Sequence, residues 1–322
     1  MSLAAVFHQY GGPEVVRVKK VPRPVPKDNE VLVRIHAGTM NSGDVRMRAC
    51  DPPIVRLFMG LFKPNRNILG VDMAGVVEAV GSKVTRFKVG DQVFGSATDE
   101  RFGAHAEYKC MPESGVITHK PSNLSMEETA SLFFGGNTAL EFLEKKGKLK
   151  AGQRVLIYGA SGAVGAYSVQ FARHLGAEVH GVCSGKNAQM VRELGASRVF
   201  DYTQEDFSKS GIRYDIIFDT VGKSPFKESV ESLKSGGRFL RAVHMSFGPV
   251  MAGIMTGIRT DKKVIGGVAT ETLENLERIR ELAEQGALKP VIDRTYDLEE
   301  IVEAHRYVDS GRKRGSVVIK MD

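Results

Sequence analysis

The sequence predicts an α/β protein in which a doubly wound parallel sheet is joined to a second, mainly β domain. Three observations carry this reading. From Arg154 onward, apolar runs of strand length alternate with stretches of helical period. Before about residue 120 the chain reads instead as short strands broken by Gly, Pro and Asp. Between the first strand and first helix of the alternating half lies the small-residue turn Gly159-Ala-Ser-Gly-Ala-Val-Gly165.

The early strands are expected at Ala4–His8, Val15–Lys19, Glu30–Met40, Met73–Val80, Gln92–Gly95 and Ala104–Lys109. Gly11-Gly12-Pro13, Pro22 to Pro26, Gly81-Ser82 and Gly90-Asp91 punctuate them. Ser125-Met-Glu-Glu128 offers a helix N-cap with a carboxylate three residues on, a capping box. The alternating half is expected to place strands at 154–158, 178–183, 198–201, 214–218 and 237–243, with helices at 164–175, 187–194 and 224–234. A strand near Val264–Gly267, helices at Thr272–Gln285 and Leu298–Asp309, and a closing strand at Ser316–Lys320 complete the chain.

The turn after Arg154–Tyr158 carries the chemistry. It reads Ala160-x-Gly162-x-x-Gly165, a variant of the dinucleotide fingerprint in its strand–turn–helix setting. Small residues there let the backbone N–H groups of Ser161, Gly162, Ala163 and Val164, and the positive end of the following helix, approach a pyrophosphate. The next strand, Glu178–Cys183, decides which dinucleotide. An NAD enzyme usually ends it with a carboxylate for the ribose 2′-hydroxyl, whereas this chain runs into Ser184-Gly-Lys186-Asn187. A hydroxyl, an ammonium and an amide suit a 2′-phosphate, so the expected cofactor is NADP(H).

Composition bounds the alternatives. With 322 residues and 42% hydrophobic content, the chain can build two cores. The net charge of +7, from 45 basic and 38 acidic residues, suits an anionic cofactor. The basic residues are spread along the chain apart from Arg312-Lys313-Arg314, so no tract makes nucleic acid the leading partner. Cys50, Cys110 and Cys183 are isolated, which fits a reducing cytoplasm. No apolar run approaches bilayer-spanning length, so no membrane partner is expected. The apolar stretches 52–62 and 245–258 read as pocket-lining loops or interface segments.

The first half carries a resemblance. Gly70-Val-Asp-Met-Ala-Gly-Val-Val-Glu-Ala-Val-Gly81 and Phe87-Lys-Val-Gly-Asp-Gln-Val-Phe-Gly95 resemble the GroES-like domain of the medium-chain dehydrogenase/reductase superfamily. Tyr10-Gly-Gly-Pro-Glu-Val15, Asn41-Ser-Gly-Asp44 and Gly103-Ala-His-Ala-Glu-Tyr108 are similar to its zinc-free quinone oxidoreductase branch, the zeta-crystallin-like proteins. The resemblance spans essentially the whole chain. It implies a GroES-like domain over residues 1–122, completed by 268–322, and a Rossmann NADP-binding domain over 123–267.

The departures from the alcohol dehydrogenase pattern are informative. That pattern places a zinc-ligating cysteine where this chain has Asn41, and a histidine where it has Val71. Neither side chain is a zinc ligand, and the eight histidines are scattered, so no metal is expected. A zinc-free pocket suits hydride transfer to an acceptor that is already electron-poor, a quinone or an activated carbonyl or alkene. A double-bond reductase acting on 2-alkenals or enones is the alternative within enzymes. Outside them stands an NADPH-binding protein with a structural or RNA-binding role.

Asn41 is the first candidate for a polar group at the acceptor, with Asp44 orienting it. Asn41-x-x-Asp44 reads equally as an ordinary helix N-cap. By resemblance, Thr138 lies near the nicotinamide and phosphates, and Tyr202 packs by the adenosine phosphate. Val221 and Gly222 end the fourth strand of the parallel sheet facing the cofactor, and Val243 meets the carboxamide after the fifth. Arg312 or Arg314 reaches the cofactor or is a solvated basic turn. Leu57, Phe58 and Phe62, with Phe247, Met251 and Ile254, are expected to shape the acceptor pocket or to pack in an interface. The resemblance also implies a homodimer through the edge strand near Val264.

Overall fold

A computed structural model of the chain describes residues 1–242, 253, 256, 257 and 260–321. The expected positions Val243, Phe247, Met251 and Ile254 lie outside the described residues. The chain divides into two compact units. One comprises Met1–Phe134, Glu271–Glu284 and Pro290–Asp322; the other comprises Gly135–Thr270 and Gln285–Lys289.

The first unit begins with β1 (Ser2–Val6), β2 (Arg17–Val21), β3 (Glu30–Met40), β4 (Asp72–Val80), β5 (Gln92–Ser96), β6 (Tyr108–Pro112) and β7 (Ile117–His119). Between β3 and β4 stand two helices, α1 (Ser42–Ala49) and α2 (Arg56–Met59). Next comes α3 (Met126–Ala130), capped by the expected reciprocal box of Ser125 and Glu128, and then α4 (Leu132–Leu140), along which the chain passes into the second unit.

The second unit supplies a six-stranded sheet. Its strands are β8 (Arg154–Tyr158), β9 (Glu178–Cys183), β10 (Arg198–Asp201), β11 (Tyr214–Asp219), β12 (Leu233–Arg241) and β13 (Lys263–Gly266). Every pairing is parallel, in the order β10-β9-β8-β11-β12-β13. Its helices include α5 (Ala163–His174), α6 (Ala188–Glu193) and α7 (Phe226–Glu231). Val155, Leu156 and Ile157 are wholly buried in β8, as a parallel strand covered on both faces requires. Each contributes about 2 kcal/mol relative to an exposed position.

The chain returns to the first unit through α8 (Leu273–Glu284), β14 (Ile292–Asp297), α9 (Ile301–Asp309) and β15 (Ser316–Lys320). β15 pairs antiparallel with β3, so the carboxyl-terminal segment becomes part of the amino-terminal sheet, ordered β14-β15-β3-β4-β5-β7 with β6 also on β3. α9 turns Ile301, Ala304 and Val308 into the same core as Phe7, Ile35 and Met73.

Boundaries at Glu30–Met40, Arg154–Tyr158, Glu178–Cys183, Arg198–Asp201 and Ser316–Lys320 match the sequence reading. Several elements differ: β2 runs over Arg17–Val21 rather than Val15–Lys19, and β12 starts at Leu233 rather than at 237. The strand expected at Ala104–Lys109 starts at Tyr108, because Ala106 makes only an isolated bridge to Ala4. β7 and β14 are additional. β14 reads Ile-Asp-Arg-Thr-Tyr-Asp, an edge strand with no buried residue and without apolar alternation.

Candidate functional site

In the second unit the chain leaves β8 at Tyr158 and enters the small-residue turn. Gly159 has φ +82°, and a Cβ there would lie 2.6 Å from Val221 Cγ1 and 2.8 Å from Thr220 Oγ1. Gly165, in the first turn of α5, approaches the Gly159 carbonyl so closely that a Cβ would collide with it. Gly162 is different. It is the residue before α5, in an extended conformation, and a Cβ there would meet only the Gly159 carbonyl oxygen, at 3.5 Å. The space over Gly162 is therefore open. It lies at the amino end of a 12-residue helix whose first intrahelical bond runs from Ala166 N to Gly162 O, 2.8 Å. The amides of Ala163, Val164 and Gly165 precede that bond and remain available, which fits a pyrophosphate.

Neighbouring strands hold the turn in place. Val182 O accepts from the amides of Gly159 and Ala160, each at 3.0 Å, and Thr220 Oγ1 donates to Tyr158 O at 2.9 Å. Asn187 Nδ2 donates to Ser161 Oγ at 3.1 Å. The buried Asp219 carboxylate gathers the loop after β11, accepting from the amides of Val221 (3.1 Å), Gly222 (2.8 Å) and Ser224 (3.1 Å). β8 and β11 are adjacent where the strand order reverses, the position at which open α/β sheets bind ligands. Gly135 in α4 lies against Ala163 O, where a Cβ would come within 2.8 Å, so Thr138 stands on a helix packed on the start of α5.

The structure brings Ser184, Lys186 and Asn187 to the end of β9 as a short 3-10 turn, with Lys186 exposed and Asn187 buried. It adds a group that the local sequence does not contain. Asp201, at the end of β10, sits so close to Gly185 that a Cβ there would strike its carboxylate. Hydrogen bonds from Thr203 hold the Asp201 carboxyl below the usual range, so it carries its charge. A carboxylate thus stands beside the segment read as free of one, supplied by the neighbouring strand. Tyr202 follows it, 60% exposed, with its amide donating to Cys183 O at 3.1 Å. Tyr202 lines a cleft of about 700 Å³ with Tyr158, Val182, Asp206 and Phe207.

The first unit holds a buried polar cluster where β3 meets α1. Asn41 and Asp44 form a reciprocal capping box. Asp44 Oδ2 accepts from Asn41 N at 2.8 Å, and Asp44 Oδ1 accepts from Gly70 N at 3.0 Å, so Asp44 ties α1 to the entry of β4. Asn41 Nδ2 donates to Thr39 Oγ1 (3.1 Å) and to Asp72 Oδ2 (3.3 Å), and Thr39 Oγ1 donates to the same oxygen at 2.5 Å. Both amide hydrogens of Asn41 are therefore directed inward, as an N-cap and network member. His105 lies alongside, its Nε2 2.9 Å from Thr39 O.

Asp72 is the centre of this cluster, and the sequence pattern does not single it out. Burial, reinforced by the Glu271 and Asp44 charges, pushes its carboxyl up to about 8 against the bonds from Thr39 and Asn41. Its Oδ1 has no partner, and neither has Glu271 Oε2. Burial also raises the Glu271 carboxyl, and pushes the Lys313 ammonium down to about 8 although Asp44, Asp293 and Asp72 oppose it. Among the Arg312–Arg314 cluster it is thus Lys313, not a flanking arginine, that is electrostatically tied to this site. Arg312 is exposed, and Arg314 donates its amide to Asp293 Oδ2 at 3.0 Å.

This donor set does not fit zinc. An amide, a hydroxyl and carboxyl groups that accept from them and from backbone amides occupy it, Val71 offers an alkyl group, and the His105 Nε2 is engaged by a backbone carbonyl. No group of three His, Cys, Asp or Glu among the described residues could hold a metal ion.

Two family models match: the alcohol dehydrogenase GroES-like domain over residues 27–122, and zinc-binding dehydrogenase over residues 194–319. The chain is 31% identical to a quinone oxidoreductase of Pseudomonas aeruginosa over 97% of its own length and 98% of that protein's. It is 32% identical to the 2-methylene-furan-3-one reductase of Solanum lycopersicum, covering 97% of this chain and 77% of the relative. Among solved structures, the quinone oxidoreductase from Coxiella burnetii superposes with a TM-score of 0.90 at 29% identity, covering 100% of this chain and 99% of that one.

Proposed function

Because the chain belongs to the quinone oxidoreductase branch of the medium-chain dehydrogenase/reductase superfamily, we propose that it reduces quinones or other activated carbonyl and alkene acceptors with NADPH, without zinc. The observation that carries this reading is the open space over Gly162, framed by uncommitted amides at the start of α5 and closed below by Gly159 and Gly165. When bound, the cofactor supplies a hydride to an electron-poor ring or β-carbon.

The amides of Ser161, Ala163 and Val164 hold the pyrophosphate, while Gly162 N donates to Gly159 O at 3.1 Å and Gly162 contributes by leaving the space above it open. Ser184, Lys186, Asn187 and Tyr202 take the adenosine 2′-phosphate, with Asp201 opposing them. Thr138, Val221 and Gly222 flank the nicotinamide half. Asn41 meets charge that develops on the acceptor oxygen by redirecting one Nδ2–H, and the 3.3 Å bond to Asp72 is the weaker of its two. Asp44 keeps the backbone beneath Asn41 fixed. A water or hydroxyl returns the proton.

Three free cysteines accord with a cytoplasmic enzyme, and the edge of β13, unpaired among the described residues, with a homodimer. NADPH oxidation against a panel of quinones, enones and enals tests the reading, with NADH as control. Turnover with at least one acceptor, insensitive to chelation and favouring NADPH roughly tenfold or more, is expected. Failure with every acceptor overturns it.

A further inference from the structure

Ile54, Leu57, Phe58, Leu61 and Phe62 expose 52, 69, 70, 58 and 91% of their surfaces within one short segment. The other exposed large hydrophobics among the described residues, such as Val25, Val89 and Val268, stand singly, so only this stretch forms a patch. The patch is held by built structure. Val55 and Met59 point into the core, Tyr10 Oη donates to Gly60 O at 2.7 Å, and Asn65 N donates to Met59 O at 2.7 Å. Arg56 Nη1 donates to Leu61 O at 2.7 Å while its guanidinium covers the Tyr10 ring.

The charge flanking the patch in sequence is mainly positive. Arg56, Lys63 and Arg66 flank the apolar side chains, and Asp51 is the only acidic residue between Arg46 and Val71. A small acceptor would cover a few of these side chains and offer nothing to the cations. A two-fold contact with a second copy would bring the two cationic rims together. An anionic lipid surface satisfies both features, taking Leu and Phe at the acyl boundary and Arg and Lys at the phosphates. We propose that the Ile54–Arg66 segment is a peripheral docking element for anionic membrane surfaces. This amends the expectation drawn from apolar run lengths, which concerns spanning a bilayer and not lying on one. It stands independently of the acceptor assigned above.

Flotation of the full-length protein with phosphatidylcholine vesicles, with and without phosphatidylglycerol, tests it. Uptake is expected only by the anionic vesicles, and salt should weaken it. Phe58→Ser/Phe62→Ser should lower partitioning about tenfold or more, and Lys63→Glu about tenfold, with unchanged circular dichroism because these side chains are exposed. Absence of uptake, equal uptake by neutral vesicles, or full uptake by both variants overturns the proposal. So does a dimer that the Phe variant splits without any vesicle uptake by the parent protein. A rise in KM for a water-soluble quinone in the Phe variant, with vesicle partitioning unmoved, would assign the segment to the acceptor site instead.

Discussion

The two units build their polar sites by opposite means. At the turn after β8 the polar groups on offer are backbone amides, and the sequence contributes mainly by withholding side chains at Gly159, Gly162 and Gly165. At the end of β3 the groups are side chains, Thr39, Asn41, Asp44 and Asp72, which bond one another in a buried setting with Glu271 and Lys313 within electrostatic reach. A site made of absent side chains is contiguous and tolerant of its surroundings. A site made of buried ionisable groups depends on protonation and on distant parts of the chain.

The largest expected effect tests the first kind of site. Gly162→Val places two methyl groups in the open space over the turn, so affinity for both NADPH and NADH should fall roughly 100-fold or more with the fold intact. Titration of the cofactor's own fluorescence measures it, and unchanged binding would remove the turn from the account. Gly165→Ala should instead lower the melting temperature, since its Cβ meets backbone.

Asp72 tests the second kind. Asp72→Ala leaves the buried Thr39 hydroxyl and Asn41 amide without their acceptor, at a cost of about 3 kcal/mol in denaturant unfolding. Asp72→Asn keeps an acceptor oxygen for Thr39 and should recover much of that loss. The pH dependence is more specific. With its carboxyl raised from 3.8 to about 8, the folded state holds an extra proton across that window. Its stabilising contribution is thus complete below pH 3.8 and lost as pH rises through about 8. Lys313, lowered from 10.5 to about 8, acts in the opposite direction and only above that window. The slope between the two Asp72 limits should flatten in Asp72→Asn; an identical slope would dissociate Asp72 from it.

Cofactor choice separates local from cross-strand chemistry. Lys186→Ala should weaken NADPH binding roughly tenfold and leave NADH nearly unchanged, while Asp201→Asn should strengthen NADPH severalfold, on the order of one lost charge repulsion. Equal changes for both cofactors would place the 2′-phosphate elsewhere. Ser125→Ala, which removes half of a surface capping box, should cost only about 1 kcal/mol.

What was legible in the sequence follows the same division. The strand–turn–helix at 154–174 and the strand at 178–183 could be read from contiguous pattern, because burial on both faces forces an unbroken apolar run and close packing forces glycine. Asp44 was legible as a cap, since Asn41-x-x-Asp44 is a local motif. Asp72 was not, because it stands at the first position of an apolar strand and its partners Thr39 and Asn41 come from another part of the chain, 33 and 31 residues away. Asp201 was missed beside Gly185 for a similar reason: the parallel pairing of β10 with β9 sets that neighbour. Lys313 was obscured by its flanking arginines, since charge clusters do not reveal which member turns inward.

The most direct test is quinone- or enone-dependent oxidation of NADPH, compared between the parent protein and Gly162→Val under chelation. Turnover by the parent that survives the chelator and disappears in the variant is the predicted result. Turnover that the variant retains, or that the chelator abolishes, would contradict a metal-free reduction seated at the turn after β8.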